Sequence, residues 1–320
     1  MTDWLWPGGW RLEVAVLALA VALDALLPEP PMPLHPVAWM GAVTRALTRI
    51  APKRGRVLQL LVGAITALLV PAMFGAAAGA AGYGLYRIGW PAYLIGGAAL
   101  LKTSFAVRGL AAAAVQVGDP LSQGDMLGAR GKLRGLVSRD TSRLDAAGVA
   151  SATVESVAEN TTDSFVGPWL AFAALGLPGA LAYRAVNTLD SMIGFRGKFE
   201  YLGKAAARLD DAVNFIPARA SAVLVLLGGA QARLPARRGW RRMRAEHGRT
   251  ASPNAGWTMA AMAGLLGVRL EKPGQYVLGE GFRAPGPVDV LQAVRVMYLA
   301  ATLGLMAVAA LAIARAALVG

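Results

Sequence analysis

Between Ser151 and Arg219, carboxylates, carboxamides, hydroxyls and arginines recur at helical spacings, in a chain otherwise mostly Ala, Leu, Val and Gly. In ESVAENTTD a helix sets Glu155, Glu159 and Asp163 at i, i+4 and i+8 on one face, with Asn160 beside them. Carboxylates this close repel unless a cation or a proton intervenes. Hard oxygen donors of this kind suit Mg²⁺, which takes one or two carboxylates and completes its shell with water and substrate phosphates. The plain alternative is a solvated acidic face. Phe165 and Pro168 bring the end of that face to the membrane, where polar groups are costly, and this favours a functional reading.

Two further blocks carry the same kinds of group. In YRAVNTLDSMIG, Tyr183, Asn187, Asp190 and Gly194 share one helical stripe, and Arg184 beside it suits bidentate recognition of phosphate or carboxylate. Their alternative is a polar network joining helices. In ARLDDAVNFIPAR, Asp210 or Asp211 pairs with Asn214 at i, i+3 or i+4, flanked by Arg208 and Arg219; a capped helix end with snorkelling arginines explains it equally well. Further on, SPNAG places Ser252 or Asn254 as a cap, with Pro253 in the first turn of the next helix. His35 sits between prolines and reads as structural. No Cys is present, which excludes disulfides, thiolate chemistry and Cys-ligated zinc, and two histidines are too few for a His-based metal site. Neither G-x-x-x-x-G-K-[ST] nor a strand-to-helix G-x-G-x-x-G occurs, so a P-loop or Rossmann nucleotide site is not supported.

The elements that must position these groups are apolar. The chain is 56% hydrophobic and 16% charged, with mean hydropathy +0.48, whereas soluble domains carry about 25% charged residues. Runs long enough to cross a bilayer, about 20 residues as helix, predict an all-α fold. It is a polytopic helical membrane protein with amphipathic and broken or re-entrant helices around a polar core. MTDWLWPGGWR, with three tryptophans, reads as an interfacial anchor. Leu12–Leu27 is a retained helix rather than a signal peptide, since PEPPMPLHPV and no small-residue cleavage site follows it. A proline-rich turn and a short basic helix lead to Val57–Leu85, the clearest span, whose Gly75-x-x-x-Gly79 permits close helix packing. Ala92–Leu110 is interrupted by Lys102 and Arg108. RGKLRGLVSRDTSRLD is a basic amphipathic stretch, Phe165–Val186 is broken by Gly and Pro, and Phe215–Leu234 is apolar again. EKPGQYVLGEGFRAPGP reads as a loop, and Val288–Leu318 as a long final helix.

The net charge of +13 sits mainly in loops, which points to positive-inside topology and anionic lipid rather than nucleic acid. The loops at 28–56, 111–164 and 231–288 are basic and are placed in the cytoplasm, with the N-terminus outside. The expected organisation is one integral membrane domain over 1–320, with polar cytoplasmic-side segments at 111–164 and 231–288. The three polar blocks are expected to meet in one pocket, with 165–186 broken or re-entrant so that they can.

Five stretches together resemble the CobD/CbiB family, adenosylcobinamide-phosphate synthase of cobalamin biosynthesis. They are LDALLPEPPMPLHPVAWMG, SRDTSRLDAAGVASATVESVAENTTDSFVGP, AYRAVNTLDSMIGF, AARLDDAVNFIPARASA and SPNAGWTMAAMAGLLGVRL. They run in family order from about Leu23 to Leu270; LLPEPP departs from the Gly-Asp-Pro more frequent in the family. The resemblance implies a multi-pass enzyme of the inner (plasma) membrane with its site on the cytoplasmic side. It implies an amide bond between adenosylcobyric acid, the corrinoid substrate, and aminopropanol or its phosphate, with ATP as cosubstrate and Mg²⁺ as metal. On that footing Glu159, Asp163 and Asp190 are expected to bind metal, and Arg184 and Arg219 to hold phosphate. Asn160, Asn187 and Asn214 orient substrate, aided by Tyr183, Asp211, Ser252 and Asn254. Glu155 or Asp210 serves as base, with the acids Glu159 and Asp190 also in catalytic roles. The lipid bilayer is a partner, nucleic acid is not, and a homo-oligomer stays open. The rival classes are a non-catalytic, AmpE-like membrane regulator of the same family and a small-solute transporter. A regulator should lack several of the acids and amides, all of which are present. A transporter predicts internal repeats, and none is seen.

Overall fold

The computed structural model describes residues 6–195, 197 and 199–319. Trp4 of the expected anchor, and Arg196 and Lys198 of the link after Ile193, lie outside the described residues. The chain divides into two compact units.

The first unit comprises Met1–Ala106, Gly167–Val213 and Ala307–Gly320. Helix α1 (Gly9–Leu26) packs on α4 (Trp90–Lys102). Helix α2 (Pro36–Ile50) starts where the His35 ring accepts a hydrogen bond from the Val37 N–H at 3.2 Å and Pro36 sets the first helical φ. Helix α3 (Arg56–Ile88) exposes Leu58, Leu61, Ile65 and Leu68 along one stripe, an apolar face suited to lipid. Its other face packs on a later helix of the same unit, α8, whose range is Gly167–Ile193. At Gly75 a Cβ would sit 3.1 Å from the Pro178 carbonyl oxygen, which is the close approach expected of the small-residue motif. Helix α8 is broken at Gly176, whose φ of 64° and ψ of −154° suit glycine alone, and Gly179 fits there because a Cβ would meet the Ala171 carbonyl at 2.3 Å. The expected break in 165–186 is thus present. Helix α9 (Lys204–Val213) packs on α3 and α8.

The second unit comprises Val107–Val166 and Asn214–Met306. Helices α5 (Val107–Ser122) and α6 (Met126–Leu133) precede α7 (Ala146–Thr161), which Asp145 caps by accepting from the Gly148 N–H at 2.7 Å. The stretch 111–164, predicted to be mostly polar, instead supplies core: every residue from Val149 to Ala158 is buried. Only the start of RGKLRGLVSRDTSRLD is helical; after Leu133 it runs as turns to Asp145. A π-helical turn, Thr162–Val166, follows α7, so Asp163 sits on a wider turn and leaves the ideal α-helical stripe of Glu155 and Glu159. Helices α10 (Phe215–Gln231), α11 (Ala236–Glu246) and α12 (Ala255–Leu266) complete the core. Helix α12 is apolar and almost wholly buried; it meets α11 so closely that a Cβ on Gly264 would lie 2.7 Å from Gly239 Cα.

The predicted 271–287 loop holds a small antiparallel pair, β1 (Leu270–Lys272) and β2 (Tyr276–Leu278). Its turn has Pro273, then Gly274 at φ 71°, closed by a hydrogen bond from the Gln275 N–H to the Lys272 carbonyl at 2.9 Å, the signature of a type II turn. Helix α13 (Pro287–Val319) supplies residues to Met306 here and the remainder to the first unit. Among the described residues, four helical stretches are long and apolar enough to cross a membrane: Arg56–Ile88, Trp90–Ser122, Ala146–Ile193 and Pro287–Arg315. A fifth arises if the bent pair Lys204–Val213 and Phe215–Gln231 counts as one. This is the all-α polytopic architecture that composition predicts.

Candidate functional site

Within the second unit, the first acidic residue of α7 is the centre of a network that joins three parts of the sequence. Glu155 Oε1 accepts from Ser151 Oγ at 2.7 Å; its Oε2 accepts from the Tyr276 hydroxyl at 2.9 Å and from Arg139 Nη2 at 3.3 Å. Ser151 Oγ in turn accepts from the Glu271 N–H at 2.8 Å, and Arg139 Nη1 donates to the Glu271 carbonyl at 3.3 Å. The hairpin is therefore stitched to α7 through both backbone and side chain. Glu155 is buried, and a buried carboxylate is tolerated when paired and fully hydrogen-bonded. Burial, together with the adjacent Glu155 charge, pushes the Tyr276 phenol well above its ordinary pKa, so it stays a donor.

Next to this network lies a cavity of about 130 Å³. Arg139, Lys272 and Tyr276 form one side of it, and Glu155, Glu159 and Asn160 the α7 side. Glu159 is exposed and Asn160 half-buried, with the Asn160 amide donating to the Ser156 carbonyl at 2.9 Å. Two cations facing two carboxylates and an amide can hold an anionic group while keeping an acceptor beside it. A wider cavity of about 500 Å³ opens on the other side of Ser151 and Glu271, with Arg143, Asp145 and Arg269 on its wall.

The second unit also joins Arg219 to Asn254. Arg219 Nη1 donates to the Asn254 Oδ1 at 3.2 Å and to the Phe215 carbonyl at 2.6 Å, and the guanidinium lies over the Phe215 and Trp257 rings. Asn254 is buried and makes no side-chain cap; Ser252 Oγ accepts from the Asn254 and Ala255 N–H groups instead. Of the two capping candidates, Ser252 is the cap. Asn214 is buried at the start of α10.

In the first unit, the α8 stripe forms as spaced. Arg184 Nη1 reaches Asn187 Oδ1 at 3.4 Å, and Tyr183 lies against Gly167, where a Cβ would be 2.1 Å from the phenol oxygen. Asp190 occupies the space beside Gly194, and the Asp211 carboxylate lies near enough to act on it electrostatically. Asp211 has Arg208 at 3.7 Å, and Asp210 beside it on α9 is half-buried.

Mg²⁺ has a narrow fit. Among the described residues no group of three or more His, Cys, Asp or Glu comes together to hold a metal ion. The donors present are carboxylates, which suit Mg²⁺ only as an ion that keeps its waters and a substrate's phosphates.

Sequence reading misses Arg139, Lys272 and Tyr276, which face Glu155 from 16 to 121 residues away. It also leaves Lys102 as an interruption. That buried lysine lies 3.3 Å from Glu29 Oε2, which the His35 Nε2 meets at 3.2 Å. Burial raises the Glu29 pKa, but the His35 hydrogen bond and the Lys102 charge outweigh it, and the net position is below the usual carboxylate value.

Comparison with known proteins agrees over nearly the whole chain. The family described as CobD/Cbib protein matches residues 17–313. The cobalamin biosynthesis protein CobD of Dehalococcoides mccartyi is 44% identical over 268 residues, 84% of this chain and 87% of its own. A probable cobalamin biosynthesis protein CobD of Methanothermobacter thermautotrophicus is 41% identical over 269 residues, 84% and 87% of the two chains. The cobalamin biosynthesis protein CbiB of Salmonella typhimurium is 34% identical over 313 residues, 92% and 96% of the two. No solved structure matches. With the membrane helices, the polar network and these relatives in agreement, the chain belongs to the CobD/CbiB family of cobalamin biosynthesis proteins.

Proposed function

We propose that the protein is a ligase that joins adenosylcobyric acid to aminopropanol or aminopropanol phosphate through an amide bond, at the cytoplasmic face of the inner membrane. The observation that carries this reading is the cavity of about 130 Å³ in which Arg139 and Lys272 face Glu159 and Asn160. It is too small for a corrinoid and suits a short amino alcohol bearing a phosphate: the cations take the phosphate, and Glu159 accepts the ammonium. A carboxylate is a poor acyl donor at neutral pH. In the proposed reaction its oxygen attacks the terminal phosphorus of ATP and ADP leaves. The ammonium gives one proton to a base, its nitrogen then attacks the acyl carbon, phosphate leaves, and the nitrogen loses its second proton to the departing phosphate. Glu155 is engaged by three donors and holds Arg139 and Tyr276 in place, and Asp210 belongs to the other unit, so the first proton goes to Glu159 on the cavity wall.

Glu159 and Asp163, both of the second unit, would offer carboxylate oxygens to Mg²⁺, with water and substrate phosphate completing its shell, and Asp190 of the first unit is kept as a catalytic acid. When bound, the ion neutralises charge on the transferring phosphates. Arg184 and Arg219 bind phosphate oxygens. Asn160, Asn187, Asn214 and Asn254 orient polar groups of the substrates, with Tyr183 and Asp211 supporting them. Ser252 contributes by fixing the start of α12. The test is to incubate purified protein with ATP, adenosylcobyric acid and aminopropanol phosphate, and to read the product mass and ADP release. Asp163→Asn and Asp190→Asn are each expected to abolish product while leaving membrane insertion intact. Near-normal turnover in Asp163→Asn removes the metal assignment, near-normal turnover in Asp190→Asn removes its catalytic role, and absence of product from the unaltered protein removes the reaction.

A further inference from the structure

At the foot of α3 the first unit carries a separate cavity that none of the three polar blocks lines. It holds about 480 Å³ and is lined by Thr48, Arg49, Ala51, Lys53, Gln59 and Phe199, among others. Arg49 and Lys53 are exposed, and Arg45, Arg54 and Arg56 stand near them in sequence. Not one Asp or Glu lies between Glu29 and Asp119. Among the described residues none of these five cations is paired with a carboxylate; Arg56 lies instead over the Tyr201 ring, 5.4 Å from its centre. The neighbouring acid Glu200 accepts from its own turn, at the Gly197 N–H, 3.4 Å away. Directly above the cations the exposed apolar stripe of α3 begins at Val57 and Leu58 and continues through Leu61 and Ile65.

We propose that this cavity binds the phosphate headgroup of an anionic membrane lipid, with an acyl chain lying along the α3 stripe. Polar donors and uncompensated cations at one end, joined to a lipid-length apolar face at the other, match an amphiphile and not a free anion. Arg49 supplies the planar fork suited to a phosphodiester and Lys53 a compact point charge. Gln59 adds a neutral donor, and Thr48 Oγ1, whose own proton goes to the Arg45 carbonyl at 3.0 Å, can accept from a headgroup hydroxyl.

The test uses the full chain in mild detergent, offered an equimolar mixture of phosphatidylglycerol and phosphatidylcholine, with retained lipids counted by native mass spectrometry. The unaltered protein should retain phosphatidylglycerol preferentially, and retention should fall roughly fivefold for each of Arg49→Gln and Lys53→Gln. A charge-shuffled protein, carrying both changes together with Ala42→Arg and Ala46→Arg on exposed positions of α2, should behave like the double variant. Circular dichroism and a monodisperse elution profile check that each variant is folded. Equal retention of the two lipids, or unchanged retention in the double variant, would overturn the proposal. Full retention in the shuffled protein would reduce the effect to diffuse attraction and overturn it too. Displacement of the lipid by millimolar inorganic phosphate would make the site one for free phosphate, and would equally reject a lipid.

Discussion

On Glu155 three donors share one carboxylate, and removing them one at a time has unequal effects. Arg139→Met leaves a buried carboxylate without its cation and is expected to destabilise the protein by about 3 kcal/mol. Tyr276→Phe removes one neutral donor from an acceptor that keeps two others, and should cost about 1 kcal/mol. Thermal unfolding of purified protein at neutral pH reads both; equal shifts would take the ion pair out of its central role. Glu29 gives a pH-dependent counterpart. Its folded pKa lies below the usual 4.5. The carboxylate therefore contributes stability above about 4.5, and that contribution disappears as the pH falls through the folded value. The unaltered protein should lose melting temperature below about pH 4.5 more steeply than Glu29→Gln, and parallel curves would contradict the assignment.

Contact between elements here is set by glycines as much as by large side chains. Gly264→Ala would drive a Cβ to 2.7 Å from Gly239 Cα and 2.9 Å from the Arg238 carbonyl, so α11 and α12 must separate, at about 1–3 kcal/mol. At Gly84 on α3 an added methyl would meet no atom within 4 Å, and Gly84→Ala should leave the melting temperature unchanged or slightly higher. A loss in Gly84→Ala as large as in Gly264→Ala would show that the close α11–α12 approach is not what is being measured. What can be read from sequence follows the same division. The spans, the broken 165–186 segment and the α8 stripe rest on local signals: apolar length, Gly and Pro, and a 3.6-residue period. Asp145 and Ser252 cap helices for similarly local reasons. The partners of Glu155 are not legible, because Arg139 lies in a stretch whose charge reads as a solvated face and Tyr276 is 121 residues away. The hairpin is hard to see because its strands are three residues each, although Lys-Pro-Gly-Gln is a clear turn signal. Buried α7 reads as polar because its Ser, Thr and Glu outnumber large apolar residues; most of those polar groups bond within the unit.

The absence of cysteine lets the whole molecule be mapped with single introduced thiols. Leu127 on α6 and Ile88 at the end of α3 are both well exposed. If basic segments face the cytoplasm, Leu127→Cys should react with a membrane-impermeant maleimide only in inverted vesicles, and Ile88→Cys only in intact cells. Labelling of both from one side would reject the proposed sidedness. In the first unit, Arg315 reaches back across 302 residues to the buried Glu13, donates to the Ala173 carbonyl, and covers the Trp6 ring. A ribosome adding about 5–20 residues per second needs roughly 15–60 s to make that interval. Throughout that time the opening helix holds an acid whose counter-ion has not yet been synthesised, so the nascent chain must keep it protonated, hydrated or lent to another partner. Ala20→Cys, at a buried position of α1, should therefore be open to a maleimide in ribosome-arrested chains stopped before Arg315 and closed in chains stopped well after it.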